Sequence, residues 1–283
     1  MFGISCLPSL IQLFFLVIGY IPESPYSLII KNRRDEARDV LSLYYKEEFV
    51  TKILEEKDKL YAKTEAQEEE ESRVVWTKKG IYLGFQLSIF QVLTGIASYV
   101  TQAGHVISVA LQEPIFGLYT PILITIAQLI GTFISIPMLK YIEWRYLTII
   151  GGFALVFWQT LSGLFFYLHQ NSESFRPFSM TLCMVVIMGF MFTFGITVGS
   201  SVWPYISCTM SSRPILYAQI LNWLLAGCSI MAFSFNVDSK GSPWIIIWVY
   251  TGITLVLTVL NCIFMVDIKG LSIRKVQIKL AED

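Results

Sequence analysis

Long apolar stretches separated by short polar segments follow one another along most of the chain. A hydrocarbon core of about 30 Å is crossed by roughly 20 helical residues. The pattern predicts seven transmembrane helices, at residues 2–21, 80–102, 114–139, 146–168, 178–204, 213–235 and 243–266. The first stretch lacks a basic leader and a small-residue cleavage site, so we interpret it as a retained helix rather than a secretory signal.

The only long polar segment lies between the first two apolar stretches. Residues 31–79 contain 12 Lys or Arg and 13 Asp or Glu, so this insert is expected in water. Ala37, Val40, Leu41 and Tyr44 repeat with helical spacing, and Val50, Ile53, Leu54 and Leu60 continue that spacing. The insert is therefore predicted to form two short amphipathic helices, followed by an acidic linker at 68–71.

Composition places the chain among integral, multi-pass membrane proteins. It is 54% hydrophobic and 15% charged, with zero net charge over 21 basic and 21 acidic residues. The absence of a basic stripe argues against nucleic-acid binding. With residues 31–79 in the cytoplasm, 19 of the 21 Lys and Arg lie on that side, and only Arg176 and Lys240 face out.

The predicted domains follow from these patterns. Residues 1–30 would form a first transmembrane helix, 31–79 a cytoplasmic helical insert, 80–266 a six-helix bundle and 267–283 a cytoplasmic tail. The fold class is all-α and polytopic. The surrounding partner is the lipid bilayer, although the sequence does not indicate which membrane.

Catalytic, metal and cofactor chemistry have little support in the sequence. No Asp, Glu, Lys or Arg lies deep in an apolar stretch, and no Ser or Cys has a base near it in sequence. His105 and His169 have no Asp, Glu or Cys at ligand spacing, and the five cysteines stand singly. We therefore expect no enzymatic activity, no bound metal and no cofactor.

The apolar stretches do contain uncharged amide side chains. An amide offers both donors and acceptors and suits the adjacent hydroxyls of a sugar, and an indole suits the apolar face of a pyranose ring. Membrane amides also bond neighbouring helices to one another, and the residues alone favour that role. The candidates are Gln86, Gln91, Gln102, Gln128, Gln159, Asn222 and Asn261, with Trp203 and Trp223 as possible stacking partners.

Six segments resemble motifs of the sugar porters of the major facilitator superfamily, in that family's order. They are PESP at 22–25 followed by KNRRDEA at 31–37, FQVLTGIA at 90–97, EWR at 143–145, VGSSVW at 198–203, NW at 222–223 and FMVDIKGLSI at 264–273. The resemblance extends over the whole chain and implies the sixth to twelfth helices of that fold, its C-terminal half. It implies transport of a sugar or similar polyhydroxylated solute by alternating access, with passive facilitation as the default.

The resemblance also implies roles for particular residues. The family's sugar contacts correspond to Gln91, Gln128, Trp203, Asn222 and Trp223, and its cytoplasmic conformational lock corresponds to Glu23 and Arg145. A major-facilitator cavity lies between two halves, so the amides of this chain would need a covering partner. That partner would be an N-terminal half, a second copy of the chain or another membrane subunit.

Several family positions are changed, which leaves a second interpretation open. Val92 and Ala97 replace a Gln and an Asn of the seventh helix, and Thr101 and Gln102 stand where paired tyrosines are expected. Four lock positions are also substituted, by Tyr26, Trp144, Gly195 and Cys208. The alternative is a non-transporting membrane subunit that keeps the fold as a scaffold.

Overall fold

A computed structural model of the chain describes residues 11, 14, 15, 23, 25, 28, 33–47, 49–51, 54, 76–110, 114–240, 242–271 and 273–282. Its contacts divide the chain into two compact units, Met1–Arg73 and Val74–Asp283. The predicted span at 2–21 and the acidic linker at 68–71 lie largely or wholly outside the described residues. So do Ile53 and Leu60 of the second predicted insert helix.

The first unit contains helix α1 (Arg34–Ser42). Its apolar face buries Ala37 and Leu41, and Leu28, Val40 and Leu54 pack beside Ala37. Arg33 precedes the helix and donates to both carboxylate oxygens of Glu36, at 2.8 and 2.6 Å. The first predicted insert helix is therefore present, but it ends at Ser42, and Tyr44 of the predicted period lies beyond it and is exposed.

The second unit is a bundle of long apolar helices, in the order α2 (Lys78–Leu93), α3 (Ile96–Ala110), α4 (Pro114–Tyr141), α5 (Trp144–Asn171), a 3-10 turn (Glu173–Phe175), α6 (Arg176–Ile196), α7 (Val198–Thr209), α8 (Ser212–Lys240), α9 (Pro243–Phe264) and α10 (Ile273–Glu282). Within the described residues, six segments are long and apolar enough to cross a membrane. They coincide with the last six predicted spans.

Two of these six segments are interrupted. Lys78–Ser108 consists of α2 and α3, which meet at Thr94 and Gly95, and Thr181–Thr209 contains parts of α6 and α7, which meet at Thr197. The sequence predicted a continuous helix in both places. Both interruptions lie inside the bundle, where Thr94 is completely buried and Thr197 nearly so.

The core of the bundle is formed by inward-facing apolar side chains from every long helix of the second unit, α2 to α10. Tyr99 packs on Phe190 with ring centroids 4.6 Å apart, and Phe233 stacks on Tyr250 at an interplanar angle of 6°. Large apolar side chains on the outer faces of α4, α5, α8 and α9 are exposed. A surface of this kind is stable against lipid tails, because the helices satisfy their own backbone hydrogen bonds.

Candidate functional site

Two of the five predicted sugar contacts lie side by side. Gln91 is near the C-terminal end of α2, Asn222 lies on α8, and both are half-buried. Nδ2 of Asn222 donates to the Ser88 carbonyl at 2.9 Å and reaches Oε1 of Gln91 at 3.5 Å. Among the described residues, Nε2 of Gln91 and Oδ1 of Asn222 have no other hydrogen-bond partner. Within the described residues, the pair therefore has an unpaired NH₂ group on Gln91 and an unpaired amide oxygen on Asn222.

The two tryptophans differ in their surroundings. Trp223 follows Asn222 on α8 and is 71% exposed, whereas Trp203 is half-buried on α7 and packs against the apolar core. Helix α7, which carries Trp203, packs against α2, which carries Gln91. Within the part of the chain that the structure describes, no hydrogen bond joins either indole to the amide pair.

Gln128 lies apart from that pair. It is half-buried on α4, which packs mainly against α3 and α6 and less closely against α7. A Cβ on Gly195 of α6 would lie 2.5 Å from the Gln128 carbonyl oxygen, so the two helices approach closely there. The described contacts do not bring Gln128 to Gln91 or Asn222.

Three other amides are fully inside the bundle and bond helices together. Nε2 of Gln86 on α2 donates to Oδ1 of Asn261 on α9 at 3.0 Å. Nε2 of Gln159 on α5 donates to the Thr94 carbonyl at 2.6 Å. All three are at most 5% exposed, so a diffusing solute does not reach them in this arrangement. The amides of the apolar stretches therefore divide into interhelical bonds and half-open groups.

The interruption between α2 and α3 lies one turn beyond Gln91. The Thr94 hydroxyl donates to the Gln91 carbonyl at 2.7 Å, and Gly95 follows in the left-handed region with φ of 76°. A Cβ on Gly95 would lie 2.8 Å from Cδ2 of Tyr250 on α9. Glycine is favoured here because other residues are strained at positive φ and because the aromatic ring occupies the space.

Beyond the interruption, Ser98 of α3, Ser229 of α8 and Tyr250 of α9 form a polar cluster. Oγ atoms of Ser98 and Ser229 lie 3.0 Å apart, and the Tyr250 hydroxyl donates to the Ser229 carbonyl at 2.9 Å. Farther along, Nε2 of His105 lies 2.8 Å from Oδ1 of Asp238. The sequence did not predict this contact, because the two residues are 133 positions apart and lie beyond the ends of two different predicted spans.

The predicted lock residues both make ion pairs. In the first unit, Glu23 lies 3.7 Å from Arg33. In the second unit, Arg145 lies 3.7 Å from Asp267 and donates to the Cys262 carbonyl at 3.3 Å. Asp267 belongs to the motif at 264–273, but no partner for it was predicted from the sequence.

Lysine 269 of the same motif acts as a helix cap. Nζ of Lys269 donates to the carbonyls of Lys140 and Ile142, at 2.7 and 2.9 Å. These carbonyls end α4, where the helix leaves acceptors unpaired and where the macrodipole attracts a cation. Together with the pair of Arg145 and Asp267, this bond joins the turn between α4 and α5 to the segment after α9.

Comparison with known proteins identifies the family. The family model described as "Sugar (and other) transporter" matches residues 1–280. The chain belongs to this sugar transporter family. The resemblance inferred from the motifs is thereby confirmed.

Similar members of the sugar transporter family include hexose transporters of malaria parasites. Hexose transporter 1 of Plasmodium knowlesi is 21% identical over 280 residues, and that of Plasmodium falciparum (isolate 3D7) is 23% identical over 286 residues. Each alignment covers 95% of this chain but only 55% and 54% of those transporters. The chain therefore spans about half the length of these relatives.

A solved structure supports the fold. The chain matches the major-facilitator proton:xylose symporter XylE, bound to 6-bromo-6-deoxy-D-glucose, with a TM-score of 0.65 and 18% sequence identity. The match covers 99% of this chain and 58% of the symporter. The predicted fold class is confirmed as an all-α, multi-pass membrane protein with about half of a major facilitator fold.

Proposed function

We propose that the protein contributes the C-terminal half of a sugar carrier and that Gln91 and Asn222 hold hydroxyl groups of the sugar. The observation that supports this most is the free donor of Gln91 beside the free acceptor of Asn222, because adjacent sugar hydroxyls need that combination. Both residues lie near the middle of their spans, where transporter sites are found. Trp203 and Trp223 are proposed to pack against the ring, and Gln128 to contact the sugar from α4.

The proposal includes a partner across the cavity. Asn222 and the 71% exposed Trp223 lie on a face of α8 that the described residues leave uncovered. Exposing polar amides to hydrocarbon is unfavourable, so a second half-bundle is proposed to cover them. We propose an N-terminal half as that partner, with a second copy or another subunit as the alternatives that a crosslink from Cys at position 222 would distinguish.

The proposed topology follows from the charge pattern. Residues 31–79 and 267–283 are placed in the cytoplasm, with the bundle at 80–266 crossing the membrane. The Arg145–Asp267 pair and the Lys269 cap are proposed to stabilise the cytoplasmic end of the bundle, and the Glu23–Arg33 pair is proposed as a lock contact of the first unit. A cysteine at Lys57 or Lys275 is expected to react with an impermeant thiol reagent only after the membrane is opened.

The test is binding and uptake of labelled D-glucose and D-xylose in sealed vesicles from cells that make the protein, so that any natural partner stays associated. We expect saturable, stereospecific binding and uptake, and we expect the 283-residue chain reconstituted alone to carry no sugar. Gln91→Leu removes a hydrogen bond worth about 1–3 kcal/mol and should weaken binding roughly ten- to a hundredfold.

Gln86→Leu is the matched control, because it removes a buried amide of the same helix outside the candidate site. It should leave sugar affinity unchanged in protein that has inserted normally. Vesicles that contain the folded protein and show no saturable sugar binding would contradict the carrier and would favour the non-transporting subunit.

A further inference from the structure

Neighbouring side chains in the middle of α5 contact the two interrupted helices. Gln159 donates to the Thr94 carbonyl at 2.6 Å, at the junction of α2 and α3. Nε1 of Trp158 donates to Oγ1 of Thr193 at 2.9 Å, one turn before the junction of α6 and α7. Two adjacent residues of α5 are therefore bonded to the two interrupted helices, one to each.

The hydrogen bond from Gln159 to the Thr94 carbonyl is buried inside the bundle, away from solvent. The Thr94 carbonyl is at the C-terminal end of α2, where helical hydrogen bonding leaves acceptors unpaired. A carbonyl only accepts, so the NH₂ group of Gln159 has to face it. Gln159 and Thr94 are both fully buried, and the Thr94 hydroxyl continues the connection to the Gln91 carbonyl at 2.7 Å.

The Trp158 bond reaches the second interruption through one residue. The Thr193 hydroxyl accepts from the indole, and the Thr193 carbonyl accepts from the Thr197 hydroxyl at 2.6 Å. The indole ring also lies against α6, since a Cβ on Gly189 would be 2.8 Å from it. The Trp158 side chain is therefore in contact with α6 close to its junction with α7.

The N-terminal part of α5 packs on α7 beyond the interruption. The hydroxyls of Thr148 and Ser201 lie 2.7 Å apart, and both are buried. Gly151 contacts the side chain of Thr197 so closely that a methyl group would not fit. Helix α5 is thus in contact with the second broken helix on both sides of its junction.

We propose that Trp158 and Gln159 are positioning residues that couple the two junctions, so that the broken helices bend together. Through Thr94, the same coupling sets the position of Gln91. The role in sugar binding rests on the proposed function, but the coupling itself does not. No described contact joins either residue to the amide pair, so both act through their contacts with other helices, Gln159 at the Thr94 carbonyl and Trp158 at the Thr193 hydroxyl.

The experiment measures amide hydrogen exchange of the purified 283-residue chain in lipid nanodiscs without sugar. Peptides covering residues 90–99 and 193–201 report on the two junctions separately. Gln159→Leu should speed exchange in both peptides, by about tenfold for the loss of one buried hydrogen bond. A role limited to local structure would affect residues 90–99 alone.

Thr193→Val provides a second variant that keeps the size of the side chain. It removes the acceptor of Trp158 and should also speed exchange in both peptides, whereas Thr193→Ser keeps the hydroxyl and should restore slow exchange. Gln86→Leu is the control for loss of a buried amide on α2, and it should leave residues 193–201 unchanged.

Three results would overturn the coupling. They are a change confined to one peptide in the Gln159 and Thr193 variants, no change in either peptide, and an equal effect of Gln86→Leu on both. Because no sugar is present, failure of the sugar proposal would leave these measurements unaffected. If the vesicle assay shows no saturable sugar binding while the variants still change exchange in both peptides, only the proposed function is contradicted.

Discussion

The two interrupted helices are broken at different kinds of residue, a glycine in one and a threonine in the other. At the first junction the chain uses Gly95, whose φ of 76° is a conformation that side chains strain. At the second junction Thr197 has φ of −112° and ψ of −93°, and it keeps its side chain. The first interruption is thus dictated locally by a residue type, whereas the second depends on the neighbours that hold Thr197 in place.

The difference shows which substitutions each junction tolerates. Gly95 is sensitive to any added side chain, because both its backbone and the Tyr250 ring oppose one. Thr197 is sensitive to changes on α5, because Gly151 provides the space that its side chain occupies. We expect the first junction to fail through its own residue and the second through its packing partner.

Gly95→Ala should have the largest effect on stability. The left-handed backbone and the overlap with Tyr250 together are expected to lower the free energy of unfolding by about 2–4 kcal/mol. Equilibrium unfolding in mixed detergent micelles measures this change. Gly227→Ala is the control, because a Cβ there has no atom within 4 Å. Equal effects at the two glycines would refute the local explanation.

Gly151→Ala should have the next largest effect. The added methyl group overlaps the Thr197 side chain and should cost about 1–3 kcal/mol of unfolding free energy. Gly252→Ala on α9 provides the matched control, since nothing lies within 4 Å of its Cβ position. If Gly151→Ala is as mild as Gly252→Ala in the same unfolding assay, packing against α5 does not determine the second junction.

Tyr250→Phe separates the two roles of that residue at the first junction. The ring that opposes Gly95 remains, while the hydroxyl that bonds Ser229 is lost. We expect a decrease of about 1 kcal/mol in unfolding free energy and no change in the effect of Gly95→Ala measured in the double variant. Relief of the Gly95→Ala defect by Tyr250→Phe would mean that the hydroxyl, not the ring, enforces the glycine.

Thr197→Val should have the smallest effect of the four. It removes the hydroxyl bond to the Thr193 carbonyl but keeps the branched shape, so a loss of about 0.6 kcal/mol is expected. Thr101→Val serves as comparison, because Thr101 makes the same kind of bond to Ala97 on an exposed face. A loss above that of Gly151→Ala would show that the hydroxyl, rather than the packing, maintains the second junction.

The sequence predicted the six spans because hydropathy over about 20 residues depends on composition alone. It did not predict the junctions. Pro121 and Pro137 were natural candidates for interruptions, yet both lie inside α4, as Pro204 lies inside α7. The first interruption lies instead at Gly95, inside the motif at 90–97. The second lies at Thr197, which has no local sequence signal because its conformation depends on packing against α5.

The candidate site was predictable only in part. Family positions indicated Gln91 and Asn222, and the structure brings these together, but the apolar pattern alone did not distinguish them from Gln86 and Gln159. Whether an amide faces a cavity or a neighbouring helix depends on which surfaces pack, and hydropathy does not contain that information. The same limit hid the pair of His105 and Asp238, which meet only through the contact between α3 and α8.

The last helix of the chain has a consequence for the order of biosynthesis. Oε1 of Gln277 accepts from the backbone N–H and hydroxyl of Thr77, and its amide donates to the Thr209 carbonyl. Thr77 and Gln277 are 200 positions apart, and at 5–20 residues per second roughly 10–40 s of translation separates them. The backbone N–H and hydroxyl of Thr77 therefore lack their Gln277 partner until the ribosome has released α10.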